Sequence, residues 1–578
     1  MTLLSGSLGG GQANLPTTPP TCSAPDLDVF LAGQPRWAGQ RLPLDEVATR
    51  LADAFRARGE AALASLQGPF ALALLRRPTQ ELLLATDRFG IEPLYFCGDS
   101  QAIGYASQLK LLAKGADLDP QALYNYVYFH CIPAPRTLYA GVSRLPAGHL
   151  LRWQPGRPAQ LARYWQPDFA EHEAPADDRE LQVQLRALMT QAVERASPTV
   201  GHVGAFLSGG LDSSSVVGTL AGLHKAPVAT FSIGFDADGY DELPYARLVA
   251  AHFGTRSHER YVTPQDVLDS LPLLAAGYEQ PFGNASAIPA YQCARLAREH
   301  GVDTLLAGDG GDEIFGGNAR YAKQGRFERY GRLPGWVRGI IEPLTVPLAN
   351  RAPALGKLGS YVKQARIPLP GRLQSYNQVE RLGPLNLFGA DFLATIDSGE
   401  PLRALQAEYA AAPAQHYVNR LLALDGKFTL ADNDLPKVVG TAALAGVSVA
   451  FPMLDEDLVA FGYRLSIRQK VDGAALRPLF RNAMRGVLPD QTLGKSKHGF
   501  GLPFGVWLGS HAGLQELADA SLRALAGRGW FEATFLARLR DELHRSHLAY
   551  WGELVWVLVM LEQWLQHHKA DASAGGGC

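Results

Sequence analysis

Two architectures in series follow from this sequence: a layered α+β unit up to about residue 165, then an α/β unit built on a parallel sheet. Three observations predict them. Short apolar runs separated by turn residues fill the first part. Strand, glycine-rich loop and helix alternate in the second, as in a parallel sheet wrapped by helices. From about Arg320 to Lys569 the patterning is mainly helical, which adds helices to that sheet.

In the first part FALALL (70–75), ELLLATD (81–87), LYFC (94–97) and AIGYAS (102–107) read as strands. A helix precedes them, because LDEVATRLADAFRAR spaces its apolar residues helically and Gly59 follows as a stop. Another starts at Asp119-Pro120, where Asp caps and Pro suits the first turn. The acidic, Pro/Ala-rich stretch 166–180 reads as a linker. Beyond it VGAFL (203–207) and VATFSIGF (228–235) are strands leading to helices, and DTLLAGDGGDEIFGG (303–317) repeats strand then glycine loop. The segment YWGELVWVLVMLEQWL (550–565) is too short and too interrupted by Glu553 and Glu562 to span a bilayer, so it reads as a buried helix. Residues 569–578 read as a flexible tail, and they lie outside the residues described below.

Composition removes several classes. A net charge of −2 over 578 residues recommends no nucleic-acid partner. The dispersed Cys22, Cys97, Cys131, Cys293 and Cys578 form no C-x-x-C, so neither a disulfide scaffold nor a zinc site is indicated and a reducing cytoplasm is the expected home. The N-terminus has no basic and no long apolar region of a signal peptide, and no membrane association is expected.

Chemistry concentrates in two loops. Ser208-Gly209-Gly210-Leu211-Asp212-Ser213-Ser214 directly follows VGAFL. Its glycines let backbone amides approach an anion, its hydroxyls add donors where a helix begins, and Asp212 offers a hard oxygen to Mg²⁺. It lacks the Gly-Lys-Ser/Thr ending of a Walker-type loop. Gly308-Asp309-Gly310-Gly311-Asp312-Glu313 ends another strand. Three carboxylates this close repel one another and are costly to bury without a cation, an objection that a metal–phosphate site removes. The plain alternative for each loop is a solvated turn.

In order, S-G-G-L-D-S-S, a strand with F-S-I-G-F, G-D-G-G-D-E-I-F-G-G and K-x-K-x-G-F-G-x-P resemble the asparagine synthetase family over nearly the whole chain. The first motif alone marks the broader pyrophosphate-loop ATP-pyrophosphatases. GPFALALL and LLLATDRFGIEPLYF are similar to that family's glutaminase domain. The resemblance implies an N-terminal-nucleophile-hydrolase-like αββα sandwich over 1–165, a linker over 166–180, and an adenine-nucleotide α-hydrolase-like synthetase domain over 181–568.

It also implies a reaction: ATP and Mg²⁺ activate a carboxylate as an acyl-adenylate, and ammonia or an amine displaces AMP to give an amide. By position, Ser208, Gly209, Gly210, Asp212, Ser213 and Ser214 hold the pyrophosphate end. Asp212 and Asp312 bind Mg²⁺, while Leu207, Ile233 and Gly308 contact the adenosine part. Asp309 orients or deprotonates the incoming nitrogen, with a side chain one carbon shorter than the Glu often found there. Lys497 stabilises developing negative charge, a solvated basic turn with Lys495 being the plain alternative. A homodimer is compatible with the family.

Two departures stand out. Active glutaminases of the family begin Met-Cys-Gly-Ile, whereas this chain begins Met1-Thr2-Leu3-Leu4, which leaves Thr2 at the nucleophile position. The H-R-G-P-D segment is absent, and the glutamine-binding N-G-E triplet appears as Ala32-Gly33-Gln34, so this half is expected to be structural. In the synthetase half the family's Asp-Arg becomes Val439-Gly440, and its Glu and Arg become Ser448 and Ala450, while Pro452 and Asp455 remain. These changes either alter the acceptor site or weaken catalysis. Three readings stay open: aspartate-to-asparagine synthesis from free ammonia; a specialised relative of the lasso-peptide or β-lactam synthetase type, whose substrate, small or peptidic, carries its own amine; and a non-catalytic ATP-binding scaffold.

Overall fold

The four apolar runs of the first part become strands Phe70–Arg76, Glu81–Thr86, Tyr95–Gly98 and Ile103–Ala106. The computed structural model describes residues 4–9, 18–171, 177–198, 200–345, 353–495, 501–543 and 548–568. Two antiparallel sheets stack here. One has four strands, in the order Ser5–Leu8, Ile103–Ala106, Tyr95–Gly98 and Val142–Arg144. The other has six, with Phe70–Arg76 between Glu81–Thr86 and Leu27–Gly33. Side chains that alternate inward, among them Phe30, Leu84, Tyr105 and Trp153, fill the space between the sheets. Helix Leu44–Arg58 lays Val47, Leu51 and Phe55 on the outer face of the six-stranded sheet. On the far side lies helix Pro120–Phe129, capped by the Asp119 carboxylate on the Gln121 amide. The result is an αββα sandwich.

The second part is organised by five parallel strands, in the order Arg256–Val262, Ala229–Phe235, Val203–Phe206, Thr304–Leu306 and Ser448–Ala450. All seven residues of Ala229–Phe235 are buried, as expected for a strand covered on both faces. The order reverses beside Val203–Phe206, and its carboxyl end is where a ligand crevice is expected. Tyr417–Asp425 is helical, widens to π-helical geometry over Gly426–Asp434, and resumes as helix Leu435–Leu444. The apolar segment predicted as a buried helix forms Leu548–His567, with Glu562 held inside by both Nε and Nη2 of Arg528, at 2.6 and 2.9 Å. Among the described residues no helix is long and apolar enough to cross a membrane.

The two parts are closely joined. Tyr126 of the sandwich is buried and donates its hydroxyl to the Val557 carbonyl at 2.8 Å. The stretch read as a linker is anchored: Phe169 packs edge-on against Tyr463, and Glu171 accepts from the amides of Gln415 and His416 and from Asn419. Its last residues, 178–180, are already the first turn of helix Asp178–Ala196, capped by Asp177.

Candidate active site

The first glycine loop leaves strand Val203–Phe206 and enters helix Leu211–Leu223. Gly209 has φ +68°, and an added Cβ would run into Tyr245, so both conformation and space require glycine there. The loop is held by its own hydroxyls: Ser208 Oγ and Ser213 Oγ are 3.0 Å apart, and the Gly210 amide donates to Ser208 Oγ at 3.3 Å. Ser214 is fully buried behind the loop, and its Oγ has no hydrogen-bond partner.

The second loop leaves strand Thr304–Leu306 next door and opens the short helix Gly311–Phe315. The two loops touch. A Cβ on Gly308 would meet the Ser213 amide at 2.8 Å, and one on Gly311 would overlap the Asp212 carboxylate. Leu207, Ser208, Gly210, Asp212, Ser213, Ile233, Gly308, Asp309 and Asp312 all line one cavity of about 480 Å³, a size suited to a nucleotide-sized ligand. Gly209 and Ser214 support it from behind. Lys497 lies outside the described residues. Lys495 is described: its Nζ reaches the Ser208 carbonyl and a Glu242 carboxylate oxygen, both at 3.1 Å, and sits over the Tyr245 ring.

Arg477 is the residue that sequence reasoning missed. Its Nη1 lies 2.5 Å from Asp212 Oδ1 and 3.2 Å from Asp312 Oδ1, joining the two carboxylates assigned to Mg²⁺. Arg481, one turn on, lines the same cavity; burial, then the charge of Arg477, holds its pKa below the usual value. Among the described residues no three His, Cys, Asp or Glu converge as a metal cage. A pair of carboxylates beside a phosphate loop nevertheless fits Mg²⁺, which commonly binds through one or two carboxylates plus phosphates. The glycine cradle and the unmatched Ser214 hydroxyl fit a polyphosphate.

The far end of the cavity is acidic. Burial, then the charges of Asp434 and Asp425, raise Glu313 to about 8. Lys437 Nζ pairs with Asp434 at 2.9 Å; burial pulls its pKa down, but Asp434, Asp309 and Glu313 outweigh it and leave the pKa raised. Asp309 therefore faces a buried ammonium.

A separate cavity of about 500 Å³ lies where the two parts meet, lined by Gly33, Gln34, Asp87 and Glu92 from the sandwich and by Val439, Ser448 and Ala450 from the second part. Three of the four departures from the family pattern therefore face this cavity, while Gly440 packs against Tyr278, where a Cβ would come within 2.7 Å. Burial raises Asp87 to about 6 although four backbone amides bind it, and burial with the Asp87 charge raises Glu92 to about 7. Glu456 bridges the seam, paired with Arg36 at 2.6 Å and Arg88 at 2.9 Å, and accepts from the Gly68 amide.

Residues 184–566 match the family model described as asparagine synthase, and residues 46–165 match that of a glutamine amidotransferase domain. Among curated relatives, a Mycobacterium tuberculosis protein provisionally named as a glutamine-hydrolysing asparagine synthetase is 28% identical over 518 residues, 88% of this chain and 77% of its own. The Bacillus subtilis glutamine-hydrolysing asparagine synthetase 1 is 26% identical over 459 residues, 78% of this chain and 71% of its own. Among solved structures, the B. subtilis glutamine phosphoribosylpyrophosphate amidotransferase reaches a TM-score of 0.17 at 12% identity over 49% of this chain and 62% of its own, too low to carry an argument.

Proposed function

The chain belongs to the asparagine synthase family and is an ATP-dependent ligase of the asparagine synthetase type; we propose that it forms an amide by AMP-forming activation of a carboxylate. The observation that carries this reading is the convergence of both glycine loops on one cavity, with Asp212 and Asp312 held by a single guanidinium. Amides at the start of helix Leu211–Leu223, with Ser208 and Ser213, bind the polyphosphate. Leu207 and Ile233 contact the adenosine, and Gly308 lets it approach closely. Asp212 and Asp312 would hold Mg²⁺, which supplies Lewis-acid charge to the phosphates. Lys495 and Lys497 balance the negative charge that builds on the reacting carboxyl and the leaving pyrophosphate. Asp309, close to Lys437, orients the incoming amine and takes its proton.

Aspartate and free ammonia are the default substrates. The acidic far end of the cavity favours a second reading, in which the substrate brings its own amine: Lys437 is already paired with Asp434, and Asp309 and Glu313 face the same space. The sandwich serves as a structural half. Supporting this, the glutamine triplet is Ala32-Gly33-Gln34 and the adjoining seam is bridged by Glu456.

Exchange of radiolabelled pyrophosphate into ATP across a panel of carboxylates tests the proposal. Mg²⁺-dependent exchange is expected, with product formed from ammonia or an amine and no glutamate released from glutamine. No exchange although ATP binds would leave only the scaffold reading. Glutamate release abolished by Thr2→Ala would overturn the structural role of the sandwich.

A further inference from the structure

We propose that Arg477 is the resident counter-cation of the Asp212–Asp312 pair and yields its place to Mg²⁺ only when a polyphosphate arrives to receive the guanidinium. Metal and nucleotide then bind as one unit, and the carboxylate pair keeps a cation beside it between turnovers. The inference rests on the nucleotide reading above.

The guanidinium is placed rather than adventitious. Arg477 has a left-handed backbone (φ 53°, ψ 46°), uncommon for a residue with a side chain, as it caps helix Pro478–Ala483. Its amide donates to the Lys470 carbonyl at 2.7 Å, and its side chain lies over Phe480 and is only 5% exposed. Gly317 makes room for the contact: a Cβ there would overlap Asp312 Oδ1 and come within 2.7 Å of Arg477 Cζ. The fold thus presses one cation against both carboxylates.

Charge then dictates coupling. The half-buried Asp212 with the buried Asp312 and Arg477 carries a net −1. Adding Mg²⁺ alone would turn a buried guanidinium away from its carboxylates with no new anion to meet, and an unpaired buried charge is costly. Adding Mg²⁺ with a polyphosphate gives that guanidinium strong acceptors, since arginine and phosphate match in geometry. Among the described residues Nε of Arg477 is buried without a hydrogen-bond partner, which leaves the side chain a further donor.

Electron paramagnetic resonance of Mn²⁺ binding to the full-length protein, with and without α,β-methylene-ATP, tests this. In the wild type the analogue should tighten Mn²⁺ binding by about tenfold or more, within the usual range of coupling between sites. In Arg477→Met, Mn²⁺ alone should bind about tenfold more tightly than in the wild type, while the analogue binds more weakly and the coupling shrinks. A merely structural arginine would lose both affinities together. Unchanged or weaker binding of Mn²⁺ alone to a folded Arg477→Met overturns the proposal. If that variant does not fold, Arg477→Lys decides. Its point charge cannot span both carboxylates, so a several-fold gain in Mn²⁺ affinity supports the proposal and no gain overturns it. Wild-type protein that binds no Mn²⁺ even with the analogue overturns the nucleotide reading itself, whereas coupled binding without a gain in the variants overturns only the role of Arg477.

Discussion

Helix Leu435–Leu444 separates two cavities that treat charge in opposite ways. Lys437 and Val438 line the nucleotide cavity, while Val439 and Ala443 line the one between the two parts. On the first side, loops and glycines bring carboxylates together around a cation that a ligand can replace. On the second, Arg36 and Arg88 of the sandwich pair with Asp455 and Glu456 across the seam, and Arg195 of the second part adds a pair to Asp455. Three departures from the family pattern, Val439, Ser448 and Ala450, face the seam, where Pro452 and Asp455 are kept, while the nucleotide side departs at Asp309. In the structural role proposed for the sandwich, its charges on Asp455 and Glu456 tie it to the second part.

The largest expected effect lies on the nucleotide side. Asp312→Asn should lower pyrophosphate exchange by roughly 10²–10³-fold, comparable to removing one strong electrostatic stabiliser, with the thermal midpoint nearly unchanged. A fall of less than tenfold would break the comparison by showing that the pair is structural.

The seam should respond the other way. Glu456→Ala strands Arg88, leaves Arg36 with Asp455 alone and removes an acceptor from the Gly68 amide, at a cost of about 2 kcal/mol in urea denaturation, while exchange changes little. Lost exchange with unchanged stability would assign the seam to catalysis.

A pH-dependent effect concerns Lys470, whose side-chain nitrogen lies over the Phe169 ring of the joining segment. Burial lowers Lys470 to about 7, and its Nζ donates to Asn419 at 3.0 Å and to the Tyr463 carbonyl at 2.7 Å. Between pH 7 and its ordinary pKa of 10.5 the unfolded chain binds the extra proton, so stability rises with pH across that window. Lys470→Met should flatten this slope in denaturation series at pH 7.5 and 9.5. A slope equal to that of the wild type would mean that Lys470 is charged in the folded protein.

Much of the fold was legible because the signals are local. Asp119-Pro120 caps its helix and Gly59 closes one, as spacing predicts. The glycine loops follow strands because only glycine tolerates Gly209's conformation and the close approach at Gly308. What escaped notice is non-local or short. Arg477 acts on Asp212 across 265 residues, with no motif around it. Strand Ser448–Ala450 is three residues long, too brief for any period to show, and forms because Thr304–Leu306 offers a parallel edge. The stretch 166–171 has a linker's composition, yet Phe169 and Glu171 find partners only once the second part has folded.

The contact between Tyr126 and Val557 sets a timetable. Its partners are 431 residues apart, so at about 5–20 residues per second a ribosome needs roughly 20–90 s between making the donor and making its acceptor. For that interval Tyr126 waits for its acceptor, while Tyr124 and Tyr128 of the same helix meet Phe388 and Glu380 sooner. Helix Leu548–His567 thus completes the burial of a sandwich made much earlier, and a chain released before it would leave Tyr126 without that acceptor.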